Sequence, residues 1–410
     1  MMRRRQVLAG LMAAAVAAPR GLAAAPARPR LAGPSVPPIT VIIIATLTGP
    51  DALGPVDAVD GFFLGLKGKV RHLGIREVKT AIFDDQGSPD RALSLARHLV
   101  QRGRTDFVLA AVGPDSLAAI LPVFAEAGSF VLSLAPVPVA MAGSGCSPWL
   151  FDLAGQSDGL HQAAGIRLGT DRVRRLAVVA PPDVHTTHAA ISALKATYPG
   201  EIAEILTTRR GAMTYDRVLE RIAALDVGGI YTLLTGGTGV EFVRAWGRPG
   251  GLRSRVPLYA PWMGFDPVYL AAMGEASLGV VTVGNWAFDL DNPANQLLIK
   301  RFKSVYGRRA TTWAAQGFDA YQLLNAALDV LPPKTVPPRD VRRVLRTITI
   351  QSARGPFTFD TDQFPVLDYY ARRVVRDEHG HFVNRLQGVV VTDWRNPAAS
   401  ACPMRWHAPS

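Results

Sequence analysis

The sequence predicts an α/β protein of two doubly wound lobes joined by a hinge, and three observations carry that expectation. At 410 residues the chain exceeds one ordinary α/β core, so two domains are expected. Apolar residues make up 48% and charged residues only 19%, enough to bury sizeable cores and to exclude wholesale disorder. Finally, β-branched runs alternate with helical stretches, once before Cys146 and again after it, the pattern of parallel sheets with right-handed crossovers.

The chain opens on basic residues, Met1 to Arg5, followed by an apolar run from Val7 to Ala18. That run is too short for a permanent membrane helix, and the small residues Gly21, Ala23 and Ala24 follow it, so residues 1–24 read as a cleavable export signal. Arg4-Arg5-Gln6-Val7-Leu8 is similar to a twin-arginine signal; an ordinary secretory signal with a fortuitous arginine pair is the other reading. Either one places the mature protein in the periplasm. Losing Arg3, Arg4, Arg5 and Arg20 lowers the formal net charge from +12 to +8. The excess is scattered, without a lysine run, and argues against a nucleic-acid partner.

Residues 25–38, rich in Pro, Ala and Arg, read as a flexible leader. The continuous run Ile39 to Ala45 suits an interior strand of a parallel sheet. Strands follow at Val78 to Asp84, Asp106 to Val112 and Ser129 to Leu134. Helices lie at Ala58 to Leu66, Pro89 to Arg102 and Ser116 to Ala127. Ser88 offers an N-cap and Pro89 a first helical position. In the second set, strands are expected at Arg175 to Ala180, Glu201 to Thr207, Gly228 to Leu234, Pro257 to Ala260 and Gly279 to Gly284. Helices near Gly159, Thr187, Tyr215, Gly239 and Pro267 separate them, and Pro293 to Tyr306 and Ala314 to Leu331 return the chain to the first lobe. Alternating residues around Asp377-Glu378-His379-Gly380 predict a late β-hairpin. The expected division is therefore 39–145 with part of 310–400 in lobe 1, 146–309 in lobe 2, and 355–410 as a C-terminal hairpin and tail returning to the hinge and lobe 1.

Two cysteines, Cys146 and Cys402, are present. In an oxidising compartment they pair and clip the tail to the body, or they remain two buried free thiols. Neither metal-ligand spacing nor a cofactor motif is visible. Gly236-Gly237-Thr238-Gly239 lacks the spacing of a dinucleotide loop, and no nucleophile elbow, phosphate-binding lysine loop or zinc-binding helix motif occurs. No enzyme is expected.

Several motifs then resemble one family. They are Thr46-Leu47-Thr48-Gly49-Pro50, Phe83-Asp84-Asp85-Gln86-Gly87-Ser88-Pro89, Val112-Gly113-Pro114-Asp115-Ser116, Pro122 to Gly128, Gly317-Phe318-Asp319-Ala320-Tyr321 and Thr358-Phe359-Asp360. In order and spacing the chain resembles the branched-chain amino acid (Leu/Ile/Val) type of periplasmic substrate-binding proteins of ABC transporters, the type I periplasmic binding proteins. The resemblance implies a ligand cleft between two lobes, a membrane permease as partner, a small-molecule ligand and a monomer. A ligand sensor or protein-binding module built on the same clamp is the alternative.

Parallel sheets bind ligands beyond the carboxyl ends of their strands. This places Thr48, Asp115, Ser116, Ala135, Val137, His185, Thr235 and Trp262 around the cleft. The departures from the family pattern bear on the ligand. Val137 stands at the position of a ligand-holding threonine, Trp262 at that of the acid that pairs with an ammonium group, and His185 at that of a tyrosine. An ammonium without a carboxylate would be costly to bury, so an ordinary amino acid is disfavoured. Trp262, Val137, Trp286 and Phe288 suit an apolar or aromatic body, while His185, Ser116, Thr235 and the N–H groups near Gly113 suit a carboxylate or hydroxyl.

Overall fold

The computed structural model describes residues 36–49, 52–68, 71–182, 184–208 and 215–404, without the side chains of 184–186. The expected export signal and residues 25–35 of the leader lie outside the described residues. The first sheet is built from β1 (Ile39–Ala45), α1 (Leu53–Lys67), β2 (His72–Leu73), β3 (Arg76–Asp84), α2 (Pro89–Arg102), β4 (Phe107–Ala111), α3 (Pro114–Glu126), β5 (Phe130–Ser133) and β6 (Leu150–Asp152). Its strand order is β2-β3-β1-β4-β5-β6, parallel except for the short β2. In β1, Val41 and Ile43 enter one core and Ile42 and Ile44 another. Both faces of that strand are covered by helices, which is why it reads as an unbroken apolar run.

The second lobe follows with α4 (Ser157–Thr170), β7 (Arg175–Ala180), α5 (Val184–Lys195), β8 (Glu201–Thr207), α6 (Asp216–Ala223), β9 (Gly229–Thr232), α7 (Gly236–Trp246), β10 (Leu258–Pro261), α8 (Pro267–Met273) and β11 (Val281–Gly284). After it come α9 (Pro293–Tyr306), α10 (Thr312–Val330), α11 (Pro338–Thr347), β12 (Thr358–Phe359), β13 (Pro365–Arg376) and β14 (Phe382–Trp394). The second sheet runs β12-β13-β11-β10-β9-β7-β8, with β14 on β13. Its interior strand β7 repeats the logic of β1, since Ala177 and Val179 face one core and Leu176 and Val178 the other.

Helix ends obey local chemistry. The Ser88 hydroxyl accepts from Arg91 N at 3.3 Å with Pro89 behind it, and Asn292 caps α9 by accepting from Asn295 N at 2.8 Å. That helix ends at Gly307, whose φ of +69° suits a residue without a Cβ.

The lobe boundaries differ from the sequence expectation. Strand β6 adds to β5 in the first sheet, so the first lobe extends to Asp152 instead of stopping at 145. Helix α9 buries Leu298 and Phe302 in the first lobe's core, which removes it from lobe 2. The β13–β14 hairpin belongs to the second sheet, because β13 pairs antiparallel with β11. Short apolar strands and amphipathic helices carry no mark of which core they join.

Three segments therefore cross between lobes: Asp152 to Gly155, Gly284 to Trp286 and Asp360 to Pro365. Side-chain amides tie them. Gln363 Nε2 donates to Leu150 O at 2.6 Å, Asp152 N to Gln363 O at 3.1 Å, and Asn285 Nδ2 to Ala154 O at 2.6 Å. Beside them Asp319 and Arg354 form a fully buried ion pair of 2.7 Å, and Asp319 also accepts from Ser352 Oγ at 2.7 Å and Ala353 N at 3.1 Å. Cys146, just before β6, is joined to Cys402 by a disulfide with Cα atoms 5.7 Å apart. Among the described residues no helix is long and apolar enough to cross a membrane.

Candidate functional site

The parallel strands of each lobe end in loops that carry the sequence-selected residues. In the first lobe the loop after β1 is fastened to the loop after β3. Thr46 Oγ1 donates to Asp85 at 2.7 Å, Leu47 N to Asp84 at 2.9 Å, and Thr48 Oγ1 to Asp84 at 2.7 Å. Burial is the largest single influence on the Asp84 carboxyl and pushes it up, but these bonds and one from Gln86 N together hold it below the usual carboxylate range. Asp84 is thus committed to shaping the loop, and Thr48 is exposed with its hydroxyl spent on that task.

After β4, Gly113 caps α3 with an extended backbone, and no atom lies within 4 Å of where a Cβ would stand. The space before the first turn of α3 is open. Asp115 is exposed and Ser116 is 2% exposed in that turn. Ala135, after β5, lies within a turn in which Ser133 Oγ donates to its carbonyl at 2.8 Å. Val137 is fully buried in the core beside Phe364 and bridges to Gln156. Its side chain therefore packs into that core.

In the second lobe, Thr235 is exposed at the start of α7, and its Cα would lie 3.1 Å from a Cβ on Gly264. The loops after β9 and β10 therefore touch. The backbone of His185 falls within α5, and its side chain lies outside the described residues. Trp262 is 2% exposed, anchored by its backbone N–H to Val283 O at 2.8 Å and packed over Gly284.

Trp262 meets a residue that sequence reasoning passed over. Trp313, in the first turn of α10 in the first lobe, stands edge-to-face against it with ring centroids 5.6 Å apart. The half-buried Trp313 packs against core clusters of both lobes and over Gly54 at the start of α1. The two indoles form an aromatic wall across the lobe junction. Trp313 sits four residues before Gly317-Phe318-Asp319, and that proximity was its only sequence signal.

A second group was also missed. Gln156, Asn285 and Gln316 are all buried, and Asn285 Nδ2 and Gln316 Nε2 converge on one acceptor, Ala154 O, at 2.6 and 3.4 Å. Their remaining atoms are unpartnered: both polar atoms of Gln156, Oδ1 of Asn285 and Oε1 of Gln316. Buried amide atoms are normally hydrogen-bonded, so this floor offers donors and acceptors to a bound polar group. No cluster of three or more His, Cys, Asp or Glu suited to a metal occurs among the described residues.

Comparisons with known proteins bear on the family and the fold. A profile of the periplasmic binding protein family matches residues 38–379. A curated relative, Leu/Ile/Val-binding protein homolog 6 of Brucella melitensis, is 24% identical over 190 residues, which cover 45% of this chain and 48% of the relative. The chain spans about half the length of the curated relatives it matches. Two solved structures share the fold. One is the solute-binding protein of an ABC transporter from R. palustris in complex with benzoate (TM-score 0.79, 23% identity, 89% of this chain and 99% of that one). The other, from Rhodopseudomonas palustris BisB5, was solved with 3,4-dihydroxy benzoic acid (TM-score 0.78, 19% identity, 88% and 98%).

Proposed function

The chain belongs to the periplasmic binding protein family, and from that premise we propose that it captures a small aromatic or related organic acid between its lobes for a membrane permease of an ABC importer. The Trp262–Trp313 wall carries this reading. It sets an apolar, flat surface where an amino acid ligand would need a counter-charge, and Asp84 is already held by Leu47, Thr48 and Gln86. A planar ring can stack on an indole face without leaving a polar group stranded. The ligand's carboxylate then has two kinds of partner: the free N–H groups opening α3 and the unpartnered amides of Gln156 and Gln316. Benzoate and 3,4-dihydroxy benzoic acid in the two neighbours lend support to the class of ligand.

Closure follows from differential contact. One indole belongs to each lobe, so a ligand touching both gains most when the hinge is shut, and its binding shifts the population toward that state. The chain is exported to the periplasm, acts as a monomer and performs no chemistry on its ligand.

A thermal-shift screen of the protein against aromatic carboxylates, aliphatic acids and amino acids tests the proposal. At roughly 100 times its dissociation constant a true ligand adds about 2.7 kcal/mol of stability. Stabilisation by benzoate-type acids is expected, and Trp313→Ala should cut it by about half at the same ligand concentration, as a roughly tenfold weaker binding requires. Strong stabilisation by leucine or valine, with none by aromatic acids, would sink the reading.

A further inference from the structure

Apart from the aromatic wall, the molecule holds a cavity of about 310 Å³ beside the crossing segments, sharing no lining residue with that wall. Its walls come from both lobes. Phe288, Ile299 and Arg309 belong to the first, and Asp266, Arg372 and Phe382 to the second. Arg372, on β13, is 3% exposed. Its Nε donates to Thr282 Oγ1 at 3.1 Å and Nη1 to Trp286 O at 3.0 Å, while Nη2 has no partner. No carboxylate lies within salt-bridge distance of this guanidinium among the described residues.

A buried cation without a counter-ion costs several kcal/mol. The nearby acids do not supply one. Asp377 is paired with Arg309 at 2.5 Å, and exposed Asp289 accepts from Leu386 N at 3.2 Å. Burial, and to a lesser degree the negative charge of Asp57, pushes the Asp266 carboxyl up to about 7 against the opposing pull of Arg372 itself, so Asp266 offsets only part of the guanidinium charge at neutral pH. Burial in turn lowers Arg372 to about 10, which leaves it charged at any physiological pH. What is missing is an anion.

We propose that this cavity is a second ligand site, for a small organic carboxylate whose charged end pairs with Nη2 of Arg372 and whose apolar body rests on Phe288, Trp286 and Phe382. A guanidinium presents its N–H groups in the fixed fork that a carboxylate matches, and the aromatic lining favours a ring or alkyl body over inorganic anions. The site goes beyond the reading of the cleft and does not depend on it.

Fluorine NMR of the full chain with 4-fluorobenzoate separates the two sites. The expected result is a bound resonance that survives Trp313→Ala but vanishes in Ile299→Trp, a substitution at a half-buried position that fills the cavity. Arg372→Lys should weaken that resonance's affinity about tenfold, the scale of one charged hydrogen bond. The neutral 4-fluorobenzamide should fail to reproduce it. Should no resonance respond to Ile299→Trp, the second site does not exist, whether or not another resonance responds to Trp313→Ala. A benzamide signal equal to that of benzoate would equally overturn the proposal, because the cavity would then need no anion. If Arg372→Lys does not fold, Ile299→Trp and the benzamide control still decide.

Discussion

The crossing segments and the rim of the cleft are built on opposite principles. At the crossings, Gln363, Asn285 and the Asp319–Arg354 pair are buried and bonded across long sequence separations. At the rim, Thr48, Asp115 and Thr235 are exposed, and where their side chains bond at all they bond within a loop cluster, as Thr48 does to Asp84. The first region fixes how the lobes relate; the second is free to vary in what it touches. Stability should therefore be concentrated at the bonded crossings, and much of the ligand preference at the rim, where little stability is at stake.

The sharpest way to break this contrast is Asp319→Ala, which leaves Arg354 buried and unpaired. It should lower unfolding free energy by about 3–5 kcal/mol in a urea melt; a loss near that of a surface change would show that the crossings are not the stable region. Replacing Cys146 and Cys402 together by serine should cost about 2–4 kcal/mol, since the bond closes a very long loop. The same melts, run under oxidising and reducing conditions for the parent protein, should reproduce that difference.

Acidity offers a finer probe. Complete burial pushes Asp152 up to about 7, despite bonds from Ala154 N and Gly155 N. Between its ordinary value and 7 the native protein keeps a proton that the unfolded chain has released, so Asp152 lowers stability as pH rises through that window. Asp152→Asn should remove this loss and raise the unfolding free energy from urea melts more at pH 8 than at pH 4.5, by on the order of 3 kcal/mol. Burial holds His161 near 4, which acts in the opposite sense: the unfolded chain takes up a proton below about 6.5 that the native state refuses, and stability falls as pH drops through that range. An Asp152→Asn effect identical at both pH values would mean that Asp152 is ionised throughout.

On the cleft side, Trp313→Ala should weaken aromatic acid binding roughly tenfold, the equivalent of about 1.4 kcal/mol, measurable by calorimetry. Smallest of all, Thr48→Ala and Asp115→Asn should change stability by no more than about 0.5 kcal/mol. A larger loss at Thr48 would mean that its bond to Asp84 supports more than the local loop.

The same contrast explains what the amino-acid sequence disclosed. The bounds of β1, β7, β8, α2 and α9 coincide with the expected runs, because short strands rich in apolar residues and proline-led helix starts are local signals. Sheet membership was less legible. Three-residue β6 gives no periodicity, and nothing in α9 says that Leu298 and Phe302 turn toward the first lobe. Among site residues, Trp262 announced itself as a substitution against a family pattern. Trp313 and the amides of Gln156, Asn285 and Gln316 did not, since Trp313 gains its role only against Trp262, and the amide group forms only when Asn285 and Gln316 reach Ala154 from more than a hundred residues away.

The bond between Cys146 and Cys402 also limits how far the chain can come apart. It joins residues 256 positions apart, so an oxidised chain that has lost both sheets still holds its tail beside the segment leading into β6. Almost the whole of the second lobe lies inside that closed loop, and its unfolded form has less freedom to gain than a reduced chain would.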